Sequence, residues 1–469
     1  MAERRPPIRY IRGGLGLPMF RVRRPPEWGV EPVPHGLRVL RTFDLFVLWS
    51  SLGIGLLVLA AGTLLIGVGG FGFGLTLGES AIVALLGSVL GSLMLAAAAH
   101  HGSRAGVPTM VSLRPILGRR GSYIPTALNV FQLLGWATFE LLVMGIAAAT
   151  LTGNVFGPST QLLFIPLFGA VVAALALGGP LAVIRAWLEK FAIWLVYAST
   201  AAIGIALIWK GPDLGLRYAP FSGTTSLLLA LDLVIAMPIS WWPLISDYNR
   251  FARSSKDSWV GTTAGYTIAN TVFYMLGAGL MALGIASGQP NFLAVIGLLG
   301  LGAFPLLIIL VDETDNAFAN VYSTAVSIQN LAPKRRQLGF IVAATLIAMA
   351  GAAFLWSRGE GIGGSYEGFL FLIGGLFAPL LGVVIADSFV VRRGTYAAEE
   401  FFDGARPWRW SAFASWVPGA ALYFVIVIFA LPVGATLPSF ALAAGLQVVF
   451  SRLESSLTRP TSAASGGDP

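Results

Sequence analysis

Twelve runs of roughly twenty mainly apolar residues punctuate this chain, at about 43–65, 79–99, 125–149, 160–178, 186–208, 227–245, 261–284, 304–328, 338–356, 366–390, 411–430 and 434–451. In hydrocarbon each backbone N–H and C=O must find its partner within the protein, and runs of this length do so as helices. The expected fold class is an all-α polytopic membrane protein with 12 transmembrane helices, numbered here segments 1 to 12. The lipid bilayer is its solvent: 56% of residues are hydrophobic and only 11% charged, outside the range of water-soluble domains.

Charge sets the orientation. All but three of the 30 Lys and Arg fall before segment 1, at the links between segments 2 and 3, 4 and 5 (with Lys190 just inside segment 5), 6 and 7, 8 and 9, or 10 and 11, or after segment 12. The exceptions are Lys210, Arg217 and Arg358. The positive-inside rule then puts both termini in the cytoplasm of a multi-pass protein of the cell membrane, a bacterial plasma membrane by expectation. That bias accounts for the net charge of +8 without a nucleic-acid partner. The Arg- and Pro-rich start has no apolar core for a cleavable signal peptide. Residues 1–41 are expected as an unstructured cytoplasmic tail and 453–469, rich in Ser and Gly, as a disordered one.

The absence of cysteine excludes disulfides and thiolate chemistry. The three histidines, His35, His100 and His101, lie outside the segments, which excludes paired haem ligands and an HExxH zinc site within them. No nucleophile with a base, and no metal cluster, is evident in the segments, so an intramembrane enzyme is disfavoured and no catalytic residue is named. A channel is the other alternative. No obligate protein partner is implied.

Segment 8 is the exception to the apolar pattern. Asp312, Glu313, Asp315, Asn316 and Asn320 follow directly on the apolar stretch Phe304–Val311. An acid at bilayer depth costs at least ~2.5–3.5 kcal/mol, so such a cluster is tolerated only where it faces a protein interior or a watery cavity. At about 100° per residue, Asp312, Asp315, Asn316, Asn320, Ser323 and Ser327 share a face of roughly 140°, the expected wall of an ion or substrate path. Asn291–Gln329 is too long for one crossing, so Asn291–Ala303 is expected as a re-entrant or capping helix. Asp232 and Asp387, near segment ends, are expected at the solvated interface.

Two segments read as interrupted. Segment 1 carries Ser50–Gly55 (SSLGIG) at its middle, and segment 6 carries Met237-Pro238 followed by Ser240-Trp241-Trp242-Pro243. Either alone is a packing kink; their separation by five segments matches two inverted five-segment repeats whose leading helices break around a midplane site. The expected units are 42–210 (segments 1–5), 226–393 (segments 6–10) and 411–452 (segments 11–12).

Six strings in order then carry a resemblance: Trp28–Pro34 (WGVEPVP), Gly106–Val111 (GVPTMV), Gly118–Ser122 (GRRGS), Leu134–Glu140 (LGWATFE), Ile245–Phe251 (ISDYNRF) and Glu313–Asn320 (ETDNAFAN). The chain resembles the nucleobase:cation symporter-1 family, the purine-cytosine permease family, over about Trp28 to Gly394. The first and last strings look most like its hydroxymethylpyrimidine-transporter (CytX) branch, linked to thiamine-precursor uptake. The resemblance implies a LeuT-like 5+5 inverted repeat plus two C-terminal helices, and a secondary active transporter working by cation symport. It places substrate among segments 1, 3, 6 and 8, at Trp136, Glu140 and Asn320. It places a sodium ion between Leu52 and Gly55 at the break of segment 1 and Val311, Thr314 and Asp315 of segment 8. Two departures stand out: Glu140 replaces a neutral group such as glutamine, and Asp315 replaces a neutral hydroxyl. A second carboxylate fits either Na+ or H+ as the coupling ion. The aromatic that some members carry at Pro238 is also missing, with Met237 and Trp241 nearby.

The residues themselves support a planar substrate. Trp136 and Glu140, at i and i+4, share a helical face, so a heterocycle stacked on the indole can turn its polar edge to the carboxyl. A 4-aminopyrimidine such as hydroxymethylpyrimidine or cytosine matches that carboxyl better than a uracil-like lactam does. Asn316 and Asn320 can each donate and accept; interhelical hydrogen bonding is the alternative use. Asp315 suits a hard cation. Asp312 and Glu313 have no assigned role. A purine, allantoin or other nucleobase-like permease on the same fold is the alternative function.

Overall fold

The computed structural model describes residues 28–67, 72–210, 222–288, 292–359, 364–402 and 404–458. Each expected segment is helical. Segment 1 is Thr42–Ser51 and Leu56–Ile66, segment 2 Leu77–Ala98, segment 3 Tyr123–Leu151, segment 4 Thr160–Gly178 and segment 5 the run from Pro180–Ala182 through Val183–Ala192 to Ile193–Lys210. Segment 6 is Thr224–Ser240 with continuations Trp242–Leu244 and Ile245–Asn249, segment 7 Ser255–Ser287, segment 8 Phe304–Leu331, segment 9 Gln337–Ser357 and segment 10 Gly364–Ile385, continued by Ala386–Val391. Segments 11 and 12 are Trp410–Ile428 and Thr436–Thr458. A short helix, Phe292–Leu298, precedes segment 8, where the capping helix is expected.

Among the described residues, nine helices are long and apolar enough to cross a membrane, and the bent pair of segment 1 makes a tenth. Segments 5 and 8 stand outside that count. The apolar part of segment 5 is confined to Ile193–Trp209, and segment 8 carries the acid cluster.

Packing repeats when segment n is exchanged with segment n+5. Segment 1 lies on segment 7 as segment 6 lies on segment 2; segment 3 meets 9 as 8 meets 4; segment 5 meets 8 as 10 meets 3. Segments 2 and 7, 3 and 8, and 4 and 9 pair with each other, as counterparts across a two-fold axis do. An odd number of crossings per repeat inverts the second copy, so this is the packing of two inverted five-segment repeats. Segments 11 and 12 pack together against segment 10, outside the pattern.

Four expectations need correction. Residues 28–41 are ordered: Arg250, buried with its guanidinium against them, donates to the carbonyls of Gly29 (2.7 Å) and Trp28 (2.8 Å). Leu40 also forms a parallel bridge with Ala252. A Pro-rich segment cannot use its carbonyls in a helix, which leaves them free to accept from an arginine. Residues 1–27 and 459–469 lie outside the described residues, but the helix of segment 12 runs on to Thr458, where a tail was expected. Its Glu454 there accepts from Ser411 Oγ at 2.5 Å and lies 3.6 Å from Arg409 Nε. His101 belongs to the run Leu77–Ala105 and is buried, bonded to Ser388.

Neither outlying aspartate is left to interfacial water: both are bonded within the protein, and Asp232 is half-buried. Asp387 is fully buried with Arg409 (3.2 Å), Gln447 (3.0 Å) and the Tyr396 hydroxyl (2.7 Å). Asp232 caps segment 12, accepting from the amides of Ala435 (3.0 Å) and Thr436 (2.9 Å). Hydropathy placed both near segment ends, but the neighbouring helices bring donors to them.

Segment 7 approaches both halves of segment 1 through glycines. A Cβ on Gly265 would lie 2.5 Å from the Phe46 carbonyl oxygen, and one on Gly277 would lie 2.2 Å from that of Leu59. Such small residues let helices in lipid close to backbone contact. Gly265→Leu is expected to cost about 1–3 kcal/mol through overpacking and to lower the detergent-solubilised melting temperature by several degrees. Gly339→Leu, where a Cβ meets nothing within 4 Å, is expected to leave it unchanged. Equal melting of the two variants would contradict this close crossing.

Candidate functional site

After Ser51 segment 1 stops being helical, and its second half resumes at Leu56 bent by 64°. Breaking a helix in lipid leaves amides at the start of the second half and carbonyls at the end of the first without partners. Segment 8 supplies them. Glu313 Oε2 accepts from the Leu56 amide at 2.6 Å, and the Leu57 amide faces the same carboxylate. The negative group also sits at the positive end of the half-helix. Asn316 Nδ2 donates to the Ile54 carbonyl at 2.7 Å. The Ser51 hydroxyl is 2.7 Å from Asp315 Oδ2 and 3.1 Å from Asp312 Oδ1. Gly55 must be small for this to happen: a Cβ there would stand 2.8 Å from Asn316 Nδ2 and 3.0 Å from Glu313 Oε2.

Oxygen atoms without donors collect at the same point. Glu140 Oε2, Asp312 Oδ2, Glu313 Oε1, Asp315 Oδ1 and Asn316 Oδ1 are all buried and unpartnered. The carboxyl groups of Glu140 and Glu313 face each other across segments 3 and 8. Among the described residues none of the four acids forms an ion pair with Lys, Arg or His. Four carboxyls cannot be held ionised together in such a place. Protons would complete them, as would an oxygen-preferring cation, although among the described residues no three acidic side chains are gathered closely enough to hold a metal ion as they stand.

The residues expected at a cation site are placed unequally. Asp315 meets segment 1 at Ser51, beside Leu52, which ends the first half-helix. The Gly55 carbonyl already accepts from the Leu59 amide at 3.0 Å. Thr314 Oγ1 donates to the carbonyl of Val311 at 2.6 Å, and the Val311 side chain is exposed on the outer face of segment 8. Ser51 is the oxygen that sequence reasoning missed, and Asp312, placed on the wall of the expected path without a role, is its second partner. The serine was read only as part of the interruption Ser50–Gly55, and its partners lie over 260 positions away along the chain.

Trp136 and Glu140 are buried on one face of segment 3, as their spacing requires. The Trp136 ring stands edge-on to Phe369 (5.4 Å between centroids) and Tyr366 (6.0 Å) of segment 10. Those two aromatics were not anticipated; Tyr366 follows a Gly-rich string that reads as a loop. Its hydroxyl is buried and unpartnered. Met237 and Trp241 are buried at the interruption of segment 6, with Ser240 Oγ donating to the Met237 carbonyl at 2.7 Å. Asn320 lies on the same buried stripe of segment 8, but its Nδ2 donates to the Asn316 carbonyl at 3.1 Å.

Two of the remaining strings, Gly106–Val111 and Ile245–Phe251, work as ties around the end of segment 6. Asp247 Oδ1 accepts from the Thr109 amide (3.0 Å), and Thr109 Oγ1 accepts from the Ser246 amide (2.8 Å). Asn249 accepts from Trp49 Nε1 (2.8 Å) and donates to Ser258 and Thr262 of segment 7. Lower on segment 8, Asn129 of segment 3 donates to Ser327 Oγ at 2.9 Å. The polar stripe therefore divides into an end that clamps the break and an end that bonds helices together.

The family described as permeases for cytosine/purines, uracil, thiamine and allantoin matches residues 32–447. The hydantoin permease of Microbacterium maritypicum is 23% identical over 84% of this chain and 83% of its own length. The allantoin permease of Bacillus subtilis (strain 168) is 25% identical over 71% and 74%, and the cytosine permease of Escherichia coli (strain K12) 24% over 69% and 74%. Among solved structures, Mhp1, a nucleobase-cation-symport-1 family transporter in a closed conformation with bromovinylhydantoin bound, aligns at a TM-score of 0.77 and 18% identity, covering 92% of this chain and 96% of that one. A Na+-coupled sialic acid symporter aligns at 0.62 and 10% identity, covering 91% and 92%. The chain thus has the LeuT-like fold of a multi-pass membrane transporter, its relatives are permeases and not enzymes, and it belongs to the cytosine/purine, uracil, thiamine and allantoin permease family.

Proposed function

We propose that this permease imports a 4-aminopyrimidine, hydroxymethylpyrimidine first and cytosine second, by alternating access in symport with a cation, and that both termini are cytoplasmic. The observation that carries the reading is Glu140 Oε2, buried without a donor on the same helical face as Trp136 and opposite Glu313. Two carboxyls sharing one proton present an acceptor and a donor, the complement of an amino-imine edge. Trp136 supplies a stacking face, with Met237, Trp241, Asn316 and Asn320 as the further substrate contacts. Asp315, with the Leu52 carbonyl, Ser51 and Asp312, takes the cation; Gly55, Val311 and Thr314 complete the expected shell.

Na+ is the favoured ion. It would draw the first half of segment 1 onto segment 8, stabilising the substrate-competent arrangement of the repeats 42–210 and 226–393. A second reading, a ring ureide as substrate, has one observation behind it: two of the relatives above are hydantoin and allantoin permeases.

Proteoliposome uptake across a panel of nucleobases, thiamine precursors and ureides separates the two. Saturable uptake is expected to favour 4-aminopyrimidines, and equal or better uptake of uracil, hydantoin or allantoin would refute the assignment. Trp136→Ala is expected to weaken binding by about 1–3 kcal/mol through lost stacking and buried area; unchanged affinity would return Trp136 to packing.

Glu140→Gln keeps the volume and removes the shared proton. It is expected to shift preference away from aminopyrimidines while leaving cation dependence intact. Loss of cation dependence with unaltered selectivity would exchange the roles given to Glu140 and Asp315.

The ion is decided by titrating substrate affinity against sodium at two pH values. Sodium is expected to tighten substrate at both, substrate to tighten sodium by the same factor, and Asp315→Asn to abolish the effect while preserving weak substrate binding. A flat sodium response with affinity that follows pH would make the proton the coupling ion.

A further inference from the structure

On the face that carries the basic loops, a cavity of about 620 Å³ opens between the end of segment 10, the link to segment 11 and the end of segment 12. Six guanidinium groups line it, Arg114, Arg392, Arg393, Arg406, Arg409 and Arg452, against the carboxylates of Glu400 and Glu454. Among the described residues, counting Asp387 behind Arg409 as well, the wall holds an excess of three positive charges. The charges divide into two sets. Arg114 and Arg409 are buried and held by neighbours: Arg114 donates to the Phe401 carbonyl and Asn330 (both 2.9 Å), Arg409 to the Pro115 carbonyl (2.9 Å) and Asp387 (3.2 Å). Arg392 pairs with Glu400 at 3.3 Å. Among the described residues, Arg393, Arg406 and Arg452 have no carboxylate within 4 Å.

Like charges converge here at a cost, and the backbone adds to it. Arg393 occupies the left-handed region at φ 50°, a conformation that favours glycine. A structure that keeps an arginine in that conformation, beside others with no carboxylate within 4 Å among the described residues, has the form of an anion site.

The surroundings identify the anion's source. Trp408 and Trp410, on either side of Arg409, are exposed at the start of segment 11, and exposed indoles belong at the depth of lipid headgroups. The cavity wall includes Val390, which is exposed, and on segment 12 Val449 and Leu453, next in sequence to the lining residues Val448 and Arg452, are exposed as well. The basic floor therefore meets a lipid-facing apolar rim. Basic pockets between membrane helices recognise phosphate headgroups in this way.

We propose that this cavity binds the phosphate headgroup of an anionic phospholipid, with Arg393, Arg406 and Arg452 contacting the phosphate and Val390, Val449 and Leu453 contacting the acyl chains. One lipid then bridges segment 10, the 10–11 link and segment 12. The test uses the purified full chain in micelles of a zwitterionic detergent, titrated with phosphatidylglycerol, with phosphatidylcholine or with inorganic phosphate, and followed by melting temperature. Phosphatidylglycerol is expected to raise it saturably, phosphatidylcholine and millimolar phosphate to leave it flat.

The triple variant Arg393→Gln/Arg406→Gln/Arg452→Gln is expected to lower the apparent affinity for phosphatidylglycerol on the order of 100-fold. Lys334→Gln/Arg335→Gln/Arg336→Gln removes the same charge from the exposed link after segment 8 and is expected to keep the affinity. Three outcomes overturn the proposal: an equal loss in both variants, which means diffuse electrostatics; a full response to inorganic phosphate, which means a free-phosphate site; or no response to phosphatidylglycerol in the unmodified chain. The triple variant's melting temperature without lipid shows whether it folds, and the single variant Arg452→Gln, on the exposed flank of segment 12, gives the same reading with least disturbance.

Discussion

A helix cannot simply stop inside a bilayer, because each amide or carbonyl it abandons costs several kcal/mol in hydrocarbon. An acid placed there is costly for its own reasons. In this protein the two costs offset each other: Glu313 caps the second half of segment 1, Asn316 takes the Ile54 carbonyl, and Asp312 and Asp315 share the Ser51 hydroxyl. Neither the break nor the acid cluster is tenable alone. Their fit fixes where segment 8 lies against segment 1, and through Gly265 and Gly277 where segment 7 lies as well. It also makes the site responsive, since whatever neutralises the unpartnered oxygens of Asp312, Asp315 and Glu313 changes how firmly the broken helix is held.

The architecture was legible because lipid leaves few options. Runs of twenty apolar residues had to be helices, and Ser50–Gly55 breaks segment 1; segment 6 instead stays helical through Pro238 and tightens only at Trp242–Leu244, so the two-fold packing between segments carries the repeat further than its interruption does. The period of the polar stripe on segment 8 did not single out a buried face: Asp312, Asp315, Asn316, Asn320, Ser323 and Ser327 are buried, but so is every other residue from Asp312 to Ser327. What stayed hidden depends on partners distant in sequence. Nothing local says that Glu313 reaches an amide at Leu56, that Asp387 finds Arg409, or that Trp28 and Gly29 offer carbonyls to Arg250. Hydropathy ranks such residues by their own cost of burial, and a fold decides by what it brings alongside them.

Family strings carried a further ambiguity. Glu313–Asn320 contains both residues that clamp the break and residues that face the candidate substrate space, and the string alone does not separate them. Geometry shows why: Asn316 spends its donor on Ile54 yet keeps a buried, unpartnered Oδ1, so one side chain both clamps the break and leaves an acceptor open. By contrast Ile245–Phe251 and Gly106–Val111 prove to be mutual ties through Asp247 and Thr109. A shared motif therefore marks a shared fold as readily as a shared ligand.

Segment 10 belongs to two regions at once. Its first turns set Tyr366 and Phe369 against Trp136, and its middle is fixed to segment 6 where Trp242 Nε1 donates to the Phe377 carbonyl at 3.0 Å. Its far end carries Asp387, locked to Arg409 and to Gln447 of segment 12, and then the arginines of the basic cavity. Removing one partner of such a buried pair leaves an uncompensated charge, at a cost of roughly 3–5 kcal/mol, so segments 11 and 12 are anchored to segment 10 by more than apolar contact. The two helices outside the inverted repeat thereby hold the end of the one segment that also walls the candidate substrate space. Physical continuity of this kind is a route for coupling, and energetic coupling along it requires that segment 10 have two arrangements which both ends can bias.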